Sequence, residues 1–202
     1  MFESVLEKFE KYLDKMEAEN PHTFNFDLAM EVKKRLEQLD YLYELVMEKH
    51  TRYMDLNWID FRDIESLKKR IQEAGGSIIR TKSKEHLEME TLIFEIETFT
   101  ESFYYLAGRM RTILRHSSEP LPGLKSFECV GARDVRNKLL EHVEGSDSRV
   151  FTQSFGVGGD QGPTLKVKRP AGQEAIFPDA GLEANAAEIK NNFEKLLDRV
   201  LS

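Results

Sequence analysis

Residues 83–116, SKEHLEMETLIFEIETFTESFYYLAGRMRTILRH, form the longest stretch of this chain with a single clear periodicity. Apolar side chains recur in it at steps of three and four residues, the spacing of an amphipathic α-helix. They are Leu87, Leu92, Ile93, Ile96, Phe99, Phe103, Leu106, Met110, Ile113 and Leu114. Glutamates occupy the first half of the stretch, and basic residues occupy its last turns, a polarity that suits the helix macrodipole. The stretch therefore predicts one long helix that buries one face.

The same periodicity predicts further helices on both sides. They cover Phe2 to Ala18, about Asp27 to Met54, about Asp63 to Ala74, about Phe127 to Val143, and about Leu182 to Leu201. The pair Asn20-Pro21 ends the first of these helices, and Gly75-Gly76 ends the third. Residues 77–80 form a short segment of undecided structure. The sequence therefore predicts an all-α fold, a helical bundle.

The spacing of the apolar side chains changes near the end of the chain. Residues 149–155 and 164–168 alternate apolar and polar side chains on either side of GVGGDQGP, residues 156–163. This pattern predicts a small β-hairpin inserted before the C-terminal helix. The glycines do not match a nucleotide-binding loop, because Pro163 and an extended segment follow them instead of a helix or a Gly-Lys-Ser/Thr sequence. A hairpin tip is the preferred interpretation, and such a loop could also touch substrate.

Composition limits the class of protein. With 202 residues and 40% hydrophobic content, the chain can bury the core of a single helical domain spanning residues 1–202. Within it we distinguish an N-terminal helical region, residues 1–80, from a core, residues 83–202, with the hairpin at about 149–168. The net charge of −7 argues against non-specific coating of nucleic acid but allows a local basic site.

The remaining composition signals concern location and cofactors. The single cysteine, Cys129, cannot form an internal disulfide, and we expect it to be a small buried residue. No apolar run is long enough to span a bilayer, and the N-terminus does not resemble a signal peptide. The five histidines are scattered without ligand spacing. We therefore expect a soluble cytoplasmic protein with no membrane association, no metal and no cofactor.

The segment GARDVRNKLLEH, residues 131–142, places Arg136-Asn137 and His142 on one short helix. A guanidinium stays charged and offers a planar fork of donors to phosphate oxygens, while an imidazole transfers a proton near neutral pH. On a regular helix the positions of Arg136 and His142 lie about 120° apart around the axis and about 9 Å apart along it. They do not face one another, so a shared site needs a second surface, such as the two-fold interface of a homodimer.

This arrangement, Arg-Asn followed by four residues and a His, resembles the HEPN superfamily of helical domains. A long helix and a proline-containing loop precede the motif, and the resemblance covers about residues 83–201. HEPN members are compact helical bundles, and many are metal-independent endoribonucleases of toxin–antitoxin and phage-defence systems that act as dimers. Others have lost activity. Some members carry a Tyr two positions after the His that a partner nucleotidyltransferase modifies, whereas this chain has Glu144 there.

The resemblance implies a role for each motif residue. Arg136 would bind and polarise the scissile phosphate, His142 would act as general base or acid for attack by the ribose 2′-hydroxyl, and Asn137 would orient the site. The product would be a 2′,3′-cyclic phosphate, and no metal would be needed. RNA, a second copy of the chain and an antitoxin or regulatory protein are the expected partners. Four more arginines are candidate RNA contacts: Arg133, Arg109, Arg111 and Arg115.

Structural explanations compete with these roles. His142 would be an inert histidine at the edge of an apolar stripe, and Arg136 would form a surface ion pair with Glu141 or Asp134. The basic residues near the end of the long helix would only complement its dipole. Two other classes of function stay open: a non-catalytic HEPN-like interaction or regulatory module, and a helical ligand-binding regulator. An endoribonuclease is the first prediction.

Overall fold

A computed structural model describes residues 1–19, 22–57, 84–144, 152–156, 163–168 and 174–202. Five helices dominate this part of the chain: α1 (Glu3–Glu19), α2 (Phe26–Asn57), α3 (Lys84–His116), α4 (Val130–Glu144) and α5 (Leu182–Leu201). The prediction of a mostly helical protein is confirmed. The helix predicted from Asp63 to Ala74 and the segment at residues 77–80 lie outside the described residues. Among the described helices, none combines the length and apolar character needed to cross a bilayer.

The helices share one hydrophobic core. Helix α1 packs against α2 and α5, α3 packs against α2 and α4, and α4 also contacts α5. The N-terminal helices therefore complete the same core as the rest of the chain. Its largest fully buried side chains come from α1 and the residue before it, from α2, α3 and α5, and from the loop before α4: Tyr12, Tyr104, Phe2, Phe9, Phe103, Phe127, Phe193, Leu36, Leu39, Ile96, Met110 and Leu114.

An aromatic cluster joins the two ends of the chain to the loop between α3 and α4. The ring centroid of Phe193 in α5 lies 4.6 Å from that of Phe127 and 6.3 Å from that of Phe9 in α1. In the same region, the Tyr12 hydroxyl donates a hydrogen bond of 3.1 Å to the carbonyl of Pro122. Burial raises the pKa of Tyr12, so this hydroxyl keeps its proton. These contacts fix the loop that leads into α4.

A three-stranded antiparallel sheet precedes α5. Its strands are β1 (Thr152–Gly156), β2 (Thr164–Lys168) and β3 (Glu174–Gly181), in the order β1-β2-β3. Strands β1 and β2 lie in the two stretches where the sequence alternates. Of the predicted hairpin tip, residues 156–163, all but Gly156 and Pro163 lie outside the described residues. Strand β3 was not predicted, because its sequence does not alternate regularly. It contains Pro178, which cannot donate to a ladder, and the β2–β3 register is irregular between Thr164 and Lys166.

The aromatic cluster generates a stability prediction. Replacing Phe193 with Ala removes a fully buried ring that touches both Phe9 and Phe127. We expect the free energy of unfolding to fall by about 3–5 kcal/mol, the usual cost of Phe→Ala in a core. Urea denaturation followed by circular dichroism measures this change.

Tyr41→Ala is the matched control, because Tyr41 is 66% exposed on α2. It should change the free energy of unfolding by less than about 0.5 kcal/mol. Equal effects of the two substitutions would show that the Phe193 cluster does not hold the bundle together.

Candidate functional site

The motif helix α4 begins where α5 supplies a carboxylate. Glu188 of α5 accepts hydrogen bonds from the backbone N–H groups of Val130, at 2.7 Å, and of Gly131, at 2.9 Å. The first N–H groups of a helix have no partner within the helix, and a negative charge there complements the positive end of the helix dipole. Glu188 therefore caps α4 and fixes its position relative to α5.

Three helices meet at Gly131. A Cβ atom at this position would lie 2.0 Å from Oδ1 of Asn185, so only glycine fits. The buried Asn185 side chain donates through Nδ2 to the Tyr104 hydroxyl of α3 at 3.1 Å, and to the Gly181 carbonyl at 3.0 Å. Burial raises the pKa of Tyr104, which keeps this hydroxyl protonated. The start of α4 is thus held against both α3 and α5.

Arg136 lies directly on the backbone of α3. A Cβ atom on Gly108 would lie 2.2 Å from Cδ and 2.8 Å from Nε of Arg136, so the arginine fills space that only a glycine leaves. Its Nε atom is buried without a hydrogen-bond partner. In the described part of the chain no carboxylate forms an ion pair with Arg136. Among the residues that the structure describes, packing against Gly108 holds this guanidinium in place.

Two other residues of the predicted site are chain neighbours of Arg136 or of Gly108, the residue that it contacts. Asn137 follows it on α4 and is exposed, while Arg109 follows Gly108 on α3 and is also exposed. Arg109, like Arg136, makes no ion pair with any residue that the structure describes. Near the point where α4 crosses Gly108, the chain thus carries two arginines with no carboxylate partner among the described residues: Arg136 on α4 and Arg109, next to Gly108, on α3. Such a local positive charge favours an anionic ligand on an otherwise acidic protein.

The other candidate RNA contacts bind carboxylates within the protein. Arg111 donates to both oxygens of Glu128, at 2.6 Å from Nε and 3.2 Å from Nη2, and Arg115 forms an ion pair with the same carboxylate. Arg133 pairs with the adjacent Asp134 at 3.1 Å. These three arginines therefore differ from Arg136 and Arg109, which have no carboxylate partner among the described residues. Glu128 precedes α4 and is 17 residues from Arg111, so helical spacing could not reveal this contact.

His142 lies near the end of α4, six residues after Arg136. The helix is continuous between them, so the two backbone positions keep the separation of a regular helix, about 120° around the axis and about 9 Å along it. Val135 and Leu139, on the predicted apolar stripe, are buried. The side chains of His142 and of Glu141, the suggested ion-pair partner of Arg136, lie outside the described residues. Asp134, the other suggested partner, pairs with Arg133.

Three residues that shape this site were not predicted from the sequence. Gly108 and Gly131 each leave room for a side chain from another helix, and Glu188 caps α4 from 57 residues away. Gly108 and Gly131 each carried a weak signal, since glycine is unfavourable inside a helix unless something requires it, whereas Glu188 carried none. In the part of the chain that the structure describes, no group of three or more His, Cys, Asp or Glu residues could hold a metal ion.

Comparisons with known proteins add no relative. No family model, no curated protein and no solved structure matches this chain. The likeness to HEPN domains therefore depends on the Arg136, Asn137 and His142 motif and on the helices that carry it.

The cap on α4 generates a second stability prediction. Glu188→Gln replaces a charged acceptor of two N–H groups with an amide that brings its own NH₂ toward one of them. We expect the free energy of unfolding to fall by about 1–2 kcal/mol, as for loss of a helix cap or a charged hydrogen bond. Glu17→Gln, at an exposed position on α1, is the control and should be neutral. A neutral Glu188→Gln would mean that the cap does not stabilise α4.

The burial of Cys129 predicts that its thiol reacts slowly in the folded protein. The thiol is fully buried, and burial, followed by the negative charge of Glu188, raises its pKa to about 12. A raised pKa keeps the thiol protonated and unreactive at pH 8, whereas an unfolded cysteine is partly thiolate there. We expect iodoacetamide to alkylate the folded protein at least about 100-fold more slowly than the protein in guanidinium chloride. Similar rates in mass spectrometry would show that Cys129 is accessible.

Proposed function

We propose that this protein is a metal-independent endoribonuclease of the HEPN type, acting as a homodimeric toxin or phage-defence effector in the cytoplasm. The observation that carries the proposal is the state of Arg136. Its guanidinium is held against Gly108 without a carboxylate partner among the described residues; the exposed Asn137 follows it on α4, and Arg109 follows Gly108 on α3. A cation that the protein positions but does not neutralise is suited to bind a phosphate.

The chemistry follows from the properties of the side chains. Arg136 binds the non-bridging oxygens of the scissile phosphate and stabilises the charge that develops on them. His142 removes the proton of the ribose 2′-hydroxyl, or protonates the departing 5′-oxygen. The 2′-oxygen forms a bond to phosphorus as the bond to the 5′-oxygen breaks, which leaves a 2′,3′-cyclic phosphate and a 5′-hydroxyl. DNA lacks the attacking hydroxyl and resists cleavage.

A second copy of the chain completes the site in this proposal. Arg136 and His142 diverge on one regular helix, so the two groups converge on one phosphate only if another surface brings them together. A two-fold interface presents each motif twice and allows Arg136 of one protomer to act with the partner's His142. An antitoxin or another regulatory protein would hold such an activity in check.

The test is incubation of the purified protein with total cellular RNA in EDTA. We expect the wild type to cleave RNA and leave cyclic phosphate ends. Arg136→Ala and His142→Ala should each lose at least about 100-fold in rate, because one removes the phosphate ligand and the other the proton-transfer group. Arg199→Ala is the matched control, since it removes an exposed arginine of α5, and it should keep full activity.

Gly108→Ala tests the positioning of Arg136 without removing it. Alanine favours the helix, but its Cβ would displace the arginine side chain from its place on α3. We expect this variant to stay folded and to lose at least about tenfold in cleavage rate, because a misplaced phosphate ligand costs catalysis. Ser102→Ala, at another position on α3, is its control.

Light scattering and circular dichroism on every variant separate loss of function from loss of fold. Full cleavage by Arg136→Ala would refute the proposed role of this residue. Absence of cleavage by a folded wild-type dimer would favour the non-catalytic interaction or regulatory module.

A further inference from the structure

The outer face of α3 carries an exposed line of large apolar side chains. Leu87 is 49% exposed, Phe94 is 68% exposed and Tyr105 is 38% exposed. At 100° per residue their positions fall within about 20° of one line along the helix. Ile96 and Phe103, which are fully buried, lie on the opposite side and face the core. We name the surface around this line, from residue 87 to residue 105, the outer α3 face.

Along one edge of the outer α3 face, three hydroxyl groups form hydrogen bonds within the helix itself. Thr91, Thr98 and Ser102 donate their hydroxyl protons to the carbonyl oxygens of the residues four positions earlier, at 2.9, 2.8 and 2.8 Å. Such bonds satisfy the hydroxyl donor within the helix. An apolar partner can therefore cover this edge without leaving those protons unpaired.

The other edge is acidic, and neither Glu97 nor Glu101 on it forms an ion pair with a cation that the structure describes. Glu97 and Glu101 lie four residues apart, a spacing at which like charges destabilise a helix. Desolvation, followed by the charge of Glu97, raises the pKa of Glu101. Residues 87–108 contain no Lys or Arg. Glutamates of α3 on the side toward α2 do have described partners, since Lys49 binds Glu95 at 2.7 Å and Arg52 binds Glu88 at 2.8 Å.

We propose that the outer α3 face binds an amphipathic helix with a basic flank, supplied by a different protein. Apolar residues of that helix would cover Leu87 and Phe94, and its Lys or Arg residues would pair with Glu97 and Glu101. Residues 87 and 105 are separated by about 27 Å of helix, so the bound helix has about five turns. Its anchors recur every seven residues, as Leu87 and Phe94 do.

Charge complementarity selects this partner over the other candidates. A second copy of the chain, docked so that the two α3 helices run antiparallel about a two-fold axis, would bring this acidic edge against its own copy and repel it. Nucleic acid and anionic lipid are negative and would be repelled as well. Binding of the proposed partner does not depend on the proposed RNA cleavage, because the outer α3 face contains neither Arg136 nor His142.

The experiment uses two labelled 18-residue helical peptides with the same leucine pattern, one with lysine flanks and one with glutamate flanks. Fluorescence anisotropy should show saturable binding of the Leu/Lys peptide to the wild-type protein and none of the Leu/Glu peptide. Phe94→Ala should weaken binding of the Leu/Lys peptide at least about tenfold, since truncated aromatic anchors commonly cost this much. Tyr41→Ala, at an exposed aromatic residue of α2, should leave binding unchanged.

A charge reversal distinguishes this surface from general attraction to an acidic protein. The double variant Glu97→Lys, Glu101→Lys should weaken the Leu/Lys peptide at least about threefold and should now bind the Leu/Glu peptide. Absence of Leu/Lys binding, or equal binding to the wild type and to Phe94→Ala, would overturn the proposal.

Self-association is the remaining outcome. Light scattering should give the same oligomeric state for the wild type and for Phe94→Glu, with circular dichroism confirming that the variant is folded. A wild-type dimer that Phe94→Glu dissociates would show that the outer α3 face binds a second copy of the chain, and would overturn the proposal.

Discussion

The ring of Phe193 contacts the rings of both Phe9 and Phe127, and the placement of α1, α5 and the loop before α4 depends on this contact. It joins the first helix, the last helix and the loop that leads into α4, which are far apart in the sequence. Because aromatic rings bury large apolar areas, a few such contacts can hold together elements that share no hydrogen-bond ladder. The loop then delivers α4 to α3 and α5, where Glu188 caps it and Gly108 receives Arg136.

The placement of charge distinguishes the arginines of the proposed site in a chain of net charge −7. Glu128 holds Arg111 and Arg115, and Asp134 holds Arg133, so these cations are compensated within the protein. Arg136 and Arg109 differ from them in lacking a described carboxylate. The same helix α3 presents an acidic and apolar surface in its first half. One helix thus contributes to both proposed surfaces: a cationic point for phosphate and an anionic face for a basic partner.

Periodicity predicted the helices well because burying an apolar stripe is the main source of helix stability in a protein. The predicted bounds of α1, α2, α3 and α5 lie within a few residues of those in the structure. Strand β3 escaped prediction because Pro178 interrupts a segment without regular alternation. At the site, Gly108 carried only a weak signal. A glycine within a helical pattern shows that a side chain is missing, but not which distant side chain takes its place.

The sequence by itself determined which segments are helical and which residues have the chemistry to bind phosphate and move a proton, because both depend on side-chain type and local spacing. Tertiary structure decided which arginines are neutralised, where Arg136 lies and which side of α3 faces outward. Those outcomes depend on distances between residues far apart in the chain. Such distances are set by how the helices pack around Phe193, Gly108 and Gly131, and no local pattern encodes them.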